Sequence, residues 1–597
     1  MRLLIGLTAA LLLTAYAHAI PGVTIPFPED VDAEDAAAQA AEDDADSVTA
    51  APAALVDMRA TTAGPHLNAA DYPRGNYEEG DVSRLVWSVR REDMDGTPLE
   101  GIQERIIVLG PDFAHDTGGD LPVLYDFAHS RRLTLDLDAR TMRNDSFYGD
   151  VRQRLDTYLG LSQGGTLADI PYGPDRTFER FWLEAAMGMR RQAVPLQVRT
   201  QDGLTQVNRD GVTIFAFVSD RPDTDDVVLD LDAAADDAAP IDTDEAASDD
   251  APLEEDTSEP SDPLLDLLRA DSADDVETEE PEAADAAPAD VTPTGEETDG
   301  PVVSQHADLF RRWMRHALPL HPDALSAMDG LDIIPTRFEL VIVSPVSPEG
   351  RREIWTLEQV EAAAAAFPLP DDLTPTYPGP ESLSAQVVPA VVDELALDSE
   401  TDHSAALLEE AEAYRAAGNL PAAYLAAYQD SAHAGACSPR TTGRPSCEAT
   451  SNIVATGLGN AEFEAFFEGI AAIATGDYAR AFGGVEPYLD LGGYAGAAAN
   501  TIAANELVAW AASGGEPPEA RDPFDLLVTA IENDPGAPAT YWHLGQALIT
   551  TGERNAGWDV YDLGRIIDRP PGHPLLQQSY ILEDRLRALA PDFFAPR

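Results

Sequence analysis

The residues best suited to chemistry are histidines and aspartates in the first quarter of the chain: His115 and Asp116, Asp126, His129, Asp136 and Asp138. Imidazole and carboxylate groups at strand ends can bind a metal ion or serve as general acid and base. Alternation along a strand, however, puts Asp136 and Asp138 on the face opposite Leu133, Leu135 and Leu137, the pattern of a solvated face. His316 and His321 lie on either side of Pro319 and read as a helix end and a turn rather than as ligands. No G-x-S-x-G, H-E-x-x-H, C-x-x-C or dinucleotide-binding fingerprint occurs. The chain has no lysine, which removes a Walker A loop, a lysine Schiff base and a Ser-Lys dyad. No catalytic residue, metal ligand or cofactor is assigned. A nucleophilic triad leaves no local pattern, so hydrolysis stays open as an alternative.

The elements that must position these residues follow from periodicity. Short segments rich in β-branched and aromatic residues predict strands at Leu85–Val89, Arg105–Leu109, Val123–Phe127, Leu133–Leu137, Leu196–Thr200 and Val212–Val218. Helical spacing predicts helices over Phe147–Leu161 and Phe178–Met189. Residues 55–219 thus read as the first part of an α+β domain, an antiparallel sheet with helices. Residues 301–395 carry a predicted helix through Leu309, Trp313, Met314, Ala317 and Leu318. Strands at Phe338–Val343 and Glu353–Leu357 and an Ala-rich helix over Leu357–Phe367 follow it. So few strands make a thin domain alone, and the preferred reading has this piece completing the sheet begun earlier. A separate small domain is the alternative.

Between the two parts lies an acidic tract, 220–300, with about thirty carboxylates against Arg221 and Arg269. With almost no aromatic residues it is expected to be disordered. Within it, Pro263–Leu268 reads as a transient helix, or alternatively as a docking motif. The formal charge of −69 over 597 residues lacks the basic footprint that nucleic acid requires. Arg2, the apolar Leu3–Leu13 and Ala17-His18-Ala19 read as a signal peptide over 1–19, with an acidic disordered leader at 20–54. No other apolar run is long enough to span a membrane. The expected location is outside the cytoplasm, most simply periplasmic, otherwise secreted. Cys437 and Cys447 flank a nine-residue loop and in an oxidising compartment are expected to form a disulfide. A metal half-site is the alternative, but it lacks a second pair of ligands nearby.

From about residue 400 to 597, Ala-rich helical patterns take over. Three segments share a helix-turn-helix look, around Gly418, Gly476 and Gly552. Small residues stand seven places before each glycine (Ala411, Gly469, Gly545) and five places after it (Ala423, Ala481, Gly557). Such residues let antiparallel backbones approach closely. This stretch resembles the tetratricopeptide-repeat (TPR) family over roughly the last third of the chain. The best unit, Pro538–Pro571, carries Tyr541, Leu544, Gly545, Leu548, Gly552, Gly557, Tyr561 and Gly564 at the family's spacing. The preceding unit, Ala504–Ala537, keeps the phase through Leu527, Ala530 and Pro535, but Gly514–Pro518 disrupts its turn. Leu575–Leu589 reads as a terminal capping helix.

The resemblance implies a concave helical surface that binds protein segments. Exposed candidates on it are Tyr424, Tyr428, Asn500, Asn505, His543 and Arg565. The plainer alternative is a helical domain that only packs against the α+β region. The sequence is therefore read as an exported binding or scaffold protein with a protein partner at the repeats. One alternative is an envelope hydrolase whose repeats recruit substrate. Another is a module for envelope glycans or lipids, in which Trp87, Trp182, Trp313 and Trp355 would be exposed; no small-molecule ligand is assigned.

Overall fold

Four aromatic rings tie the parts of the chain before and after the acidic tract into one sheet. Trp87 lies 5.2 Å from Phe338 and 6.1 Å from Trp355, Phe338 stacks on Trp355 at 5.2 Å, and Phe310 stacks on Trp87 at 5.6 Å. Rings at these distances add stability beyond the area they bury. The computed structural model describes residues 63–78, 81–163, 180–189, 194–201, 203–209, 211–218, 302–303, 306–344, 347–363, 365–377, 381–395, 403–435, 444–518, 521–568 and 572–594. The signal and leader segments, the acidic tract with its 263–268 insert, and Cys437 lie outside them. Cys447 is buried and disulfide-bonded.

The strands in chain order are β1 (Ser83–Asp93), β2 (Gln103–Leu109), β3 (Phe113–Asp116), β4 (Val123–Asp126), β5 (Arg131–Asp136), β6 (Thr141–Ser146), β7 (Gln197–Gln201), β8 (Leu204–Arg209), β9 (Val212–Val218), β10 (Val302–Val303), β11 (Ile333–Ile334), β12 (Arg337–Ser344), β13 (Ser347–Ala362) and β14 (Thr374–Thr376). Twelve form one sheet in the order β14-β6-β5-β4-β3-β2-β1-β13-β12-β9-β8-β7. All of its pairings are antiparallel except β14 with β6. The hairpin β12–β13, which follows the acidic tract, sits mid-sheet between β1 and β9. Antiparallel strands with alternating burial, such as β5 with Leu133 and Leu135 inward, bury one face per periodicity of two.

The Ala-rich stretch expected as a helix over 357–367 is instead the end of β13. Val360, Glu361 and Ala362 pair with Leu85, Arg84 and Ser83, and an Arg84–Glu361 ion pair of 2.5 Å spans the register. Cross-strand partners here outweigh local helix propensity.

The helices are α1 (Phe147–Gln163), α2 (Arg180–Met187), α3 (Ala307–Ala317), α4 (Pro322–Leu325), α5 (Glu381–Leu395), α6 (His403–Ala416), α7 (Leu420–Tyr428), α8 (Asp430–Ala434), α9 (Pro445–Gly457), α10 (Ala461–Ile473), α11 (Tyr478–Val485), α12 (Gly493–Ala512), α13 (Pro523–Asn533), α14 (Pro538–Thr551), α15 (Arg554–Ile567) and α16 (Pro574–Leu589). From α5 onward the chain is helical. Proline stands in the first turn of α7, α9, α13, α14 and α16, where its missing N–H costs nothing. Asn419, Asn460, Asp477 and Asp522 accept from first-turn N–H groups and fix the starts of α7, α10, α11 and α13. Among the described residues no helix is long and apolar enough to cross a membrane.

Antiparallel helices pair as α6/α7, α10/α11, α12/α13 and α14/α15. The turn from α14 to α15 needs Gly552, whose φ of 108° suits no L side chain. Gly545 and Gly557 make the crossing: a Cβ on Gly557 would lie 2.7 Å from the Gly545 carbonyl and 2.5 Å from Ile549 Cγ1. In α10/α11 the close approach is Gly469 against Gly484, not against Ala481. Gly557→Ala should therefore lower stability by about 1–3 kcal/mol in urea unfolding, through overpacking. Gly483→Ala, on an exposed helical site with nothing within 4 Å, should instead be neutral or stabilising by up to about 1 kcal/mol. Equal effects at both sites would remove the helix-crossing explanation.

The helical region is not packed apart from the sheet. One hydrophobic cluster holds Trp87, Phe147, Tyr148, Trp313 and Trp355 of the sheet region together with Trp542, Trp558, Tyr561, Leu586 and Phe593 of the last helices. A second cluster fills the array between α5 and α15. A third covers the other face of β3–β6 with Tyr72, Phe367 and Leu373.

Candidate functional site

The histidines and aspartates of the first quarter of the chain are dispersed among separate partners. Asp116 accepts two bonds from Arg105, at 2.8 and 2.5 Å, and one from Trp313 Nε1 at 3.0 Å. Half-buried His115 has its pKa lowered to about 4 by desolvation. Asp126 accepts from the Tyr72 hydroxyl at 2.8 Å and meets His129 Nδ1 at 2.6 Å. Asp136 closes a turn by accepting from Ala139 N, and Asp138 is exposed. His316 is buried with Nε2 2.9 Å from the Phe593 carbonyl, and burial holds its pKa near 3. His321 Nδ1 accepts from Asp323 N at the start of α4, which leaves Nε2–H to donate to Glu184 at 3.2 Å. These groups hold the fold together.

The six residues expected on an exposed groove are displaced from it. Tyr424, Asn500, His543 and Arg565 are buried, and Tyr428 and Asn505 are half-buried. Tyr424 sits among Tyr428, Phe463, Phe466 and Phe467. Asn500 Nδ2 donates to the carbonyls of Leu489 and Gly496, both at 2.9 Å. His543 has its pKa lowered to about 4 by burial, with His573 adding to the shift. The physical reason is that 3.6-residue spacing identifies a shared face but not what covers it. In α12, α14 and α15 neighbouring helices and the sheet cover nearly every side. Trp87, Trp313 and Trp355 are likewise fully buried and Trp182 half-buried, so the exposure expected of these four in a glycan or lipid module is not seen.

Arg565 belongs to a buried ionic network joining β5 to α15 and α16. Its Nη1 donates to Asp562 at 2.9 Å and to Glu583 at 2.6 Å. Arg131, with no exposed surface, donates to Asn144 Oδ1 at 2.7 Å and Asn144 O at 2.8 Å, and pairs with Asp562 and, at 3.3 Å, Asp559. Burial and the neighbouring carboxylates raise the Asp559 carboxyl well above its usual range against the pull of Arg131. Asp559 Oδ2 is buried without a hydrogen-bond partner. The network is buried, with side-chain exposure from none at Arg131 to 5% at Asp559, and it bridges two regions.

A second constellation lies in the array, and it is the candidate site. His403 begins α6, Glu394 stands near the end of α5, His433 lies on α8, and Asp534 closes α13. Ligand atoms of His403, His433 and Asp534 all lie within 4.8 Å of one another, and among the described residues this is the one such group. His433 Nε2 is 2.8 Å from Asp534 Oδ2, and His403 Nε2 is 3.1 Å from Glu394 Oε1. The two imidazoles stack at 4.9 Å. Gln429 Nε2 donates to Asp534 Oδ2 at 2.7 Å and fixes that carboxylate. Burial pulls the His433 pKa down, but the charge and hydrogen bond of Asp534 outweigh it, so the net shift is upward. The Asp534 carboxyl is shifted down, since His433 and Gln429 outweigh its own burial. Side-chain exposure runs from 2% at Asp534 to 24% at His403, so the group is shielded yet open at one side. Sequence reading passes over this site because its members come from four separate stretches, and no pair has a ligand spacing on one helix.

No protein-family model, no curated protein and no solved structure matches the chain.

Proposed function

We propose that the protein is an exported binding protein whose helical array, TPR-like in its pairing, holds a protein partner. The observation that carries this reading is the succession of four antiparallel helix pairs, with close glycine crossings in α10/α11 and α14/α15. Such pairs present helix faces side by side, a geometry suited to gripping an extended or helical segment. Because Tyr424, Asn500, His543 and Arg565 are buried and Tyr428 and Asn505 half-buried, the contact surface belongs to the outward faces of α6, α9 and α10. These expose Glu409 and Glu412, Glu448, and Glu462, Glu464 and Glu468. Their charge favours basic or neutral partner segments and speeds encounter at low salt.

The test compares the full-length chain with a triple variant, Glu462→Gln, Glu464→Gln and Glu468→Gln. Both are immobilised and exposed to envelope extract at low and high salt, with retained proteins identified by mass spectrometry. The parent is expected to enrich a defined protein whose retention falls with salt and falls further in the variant. Equal retention by both forms would sink the surface assignment. Failure of the parent to enrich any protein would sink the function.

A further inference from the structure

We propose that His403, His433 and Asp534, with Glu394 completing the set, bind a divalent transition-metal ion, zinc above all, and that this ion clamps the helical array. Two imidazoles and two carboxylates form a mixed nitrogen–oxygen set. Such a set suits zinc, copper(II) or nickel better than calcium or magnesium, which prefer all-oxygen shells. A tetrahedral zinc with bonds of about 2.0–2.2 Å places its ligand atoms about 3.3–3.6 Å apart. The spread of up to 4.8 Å among His403, His433 and Asp534 closes to that with side-chain movements of about an ångström, and Glu394 joins from its place 3.1 Å from His403 Nε2. His433–Asp534 and His403–Glu394 face each other as hydrogen-bonded pairs. An ion entering between them replaces those two contacts, and, as for any site of imidazole and carboxylate ligands, binding weakens at low pH.

Two further observations fit a built site. Gln429 orients Asp534 from behind, the outer-shell support that metal-binding carboxylates need. Gly536, two residues past Asp534, is the space into which His403 and Glu394 fit. A Cβ there would lie 2.8 Å from His403 Cε1 and 3.0 Å from Glu394 Oε1. The four ligands belong to α5, α6, α8 and the α13–α14 connection, so a bound ion cross-links all four segments at one point, where side-chain hydrogen bonds join them in pairs. This assigns the ion a structural role, with four protein ligands and no open position.

The experiment uses the full-length protein, stripped with chelator and dialysed. Zinc is titrated in by calorimetry, bound metal is measured by mass spectrometry, and unfolding midpoints are recorded with and without zinc. The expected result is about one ion per chain and a midpoint that rises with zinc concentration by mass action. Asp534→Asn, which keeps the side-chain shape, and His403→Gln should each weaken binding by at least about a hundredfold and abolish the zinc-dependent shift. His129→Gln, at the other His–Asp pair, should leave both unchanged. Should a ligand variant prove unfolded by circular dichroism, Gly536→Ala supplies the readout, because it displaces His403 and Glu394 without removing a ligand. Absence of saturable zinc, copper or nickel uptake by the folded chain overturns the proposal. So does uptake that Asp534→Asn, His403→Gln and Gly536→Ala leave intact, since the ion would then sit elsewhere on this acidic chain.

Discussion

Replacing Arg131 with alanine is expected to cost about 3–5 kcal/mol of folding stability, the range for breaking a buried ion pair from one side. The guanidinium has no exposed surface and is the bridge between β5 and α15. Its removal leaves Asp559 without its ion-pair partner in a dry interface, leaves Asp562 with Arg565 alone, and takes a donor from Asn144 Oδ1 and from the Asn144 carbonyl. The loss exceeds what the contacts themselves contribute, because a carboxylate left uncompensated in low-dielectric surroundings costs more than its hydrogen bonds give back. The neighbouring acids should separate in effect. Burial and the neighbouring carboxylates raise the Asp559 carboxyl against the pull of Arg131. A carboxyl whose folded pKa is raised contributes stability below its unfolded pKa and loses it as pH rises through the folded value. An amide does not ionise and escapes that loss, so Asp559→Asn should be near neutral or slightly stabilising at pH 7. The check is chemical denaturation of the three proteins, parent, Arg131→Ala and Asp559→Asn, at one pH and salt. An Arg131→Ala loss under about 1 kcal/mol would mean that water enters and solvates the acids.

What the sequence disclosed and what it hid divide on physical lines. Strands with apolar alternation and bulky inward residues, such as β1, β5, β9 and β12, were legible, as was α3 with Leu309, Trp313 and Met314 on one face. So were the helix pairs α6/α7, α10/α11 and α14/α15, from the turn glycines Gly418, Gly476 and Gly552 and the small residues on either side. Six strands were not read: β3, β6, β8 and the short β10, β11 and β14. β6 is T-M-R-N-D-S, and its inward residues are polar because their partners are ions: Asn144 binds Arg131, and Asp145 binds Arg132 and Arg143. A hydrophobic pattern cannot report a strand whose burial is offset by charge pairing. Val360–Ala362 was hidden for the opposite reason, since its local composition favours helix and only β1 makes it a strand. The groove residues were misplaced because helical spacing does not say which side the sheet covers. The His403–His433–Asp534 group depends on how α5, α6, α8 and α13 meet, which no local spacing encodes.

Dividing the chain between Leu395 and His403 is expected to leave neither half folded, although a reading of the sequence alone would set a domain boundary there. The described helices and sheet belong to one compact unit. Tyr148, on the first turn of α1, stacks at 4.8 Å on Phe594 and at 6.5 Å on Trp558, and its hydroxyl accepts from Arg587 at 2.7 Å. Arg554 at the start of α15 binds Asp156 of α1 at 2.8 Å, and His316 meets the Phe593 carbonyl. The array loses something in return, because α5 lies on the other side of the cut and buries Val387 and Val391 in the array core. Burial of a large apolar side chain stabilises by about 1.5–3 kcal/mol. Trp558, Tyr561, Leu576, Leu586, Phe593 and Phe594 all leave the sheet-side core when the chain is cut. Together they match the whole net stability typical of a folded protein, about 5–15 kcal/mol. The intact chain should therefore show one cooperative thermal transition by near-ultraviolet circular dichroism. The fragments 1–400 and 401–597 should each lack that signal and bind a hydrophobic dye when made alone. Co-expression should restore both the signal and the transition, since the interface that folds them is the one they share. A fragment that melts cooperatively by itself would place the core within that region, and the shared cluster would then be a docking contact between independent domains.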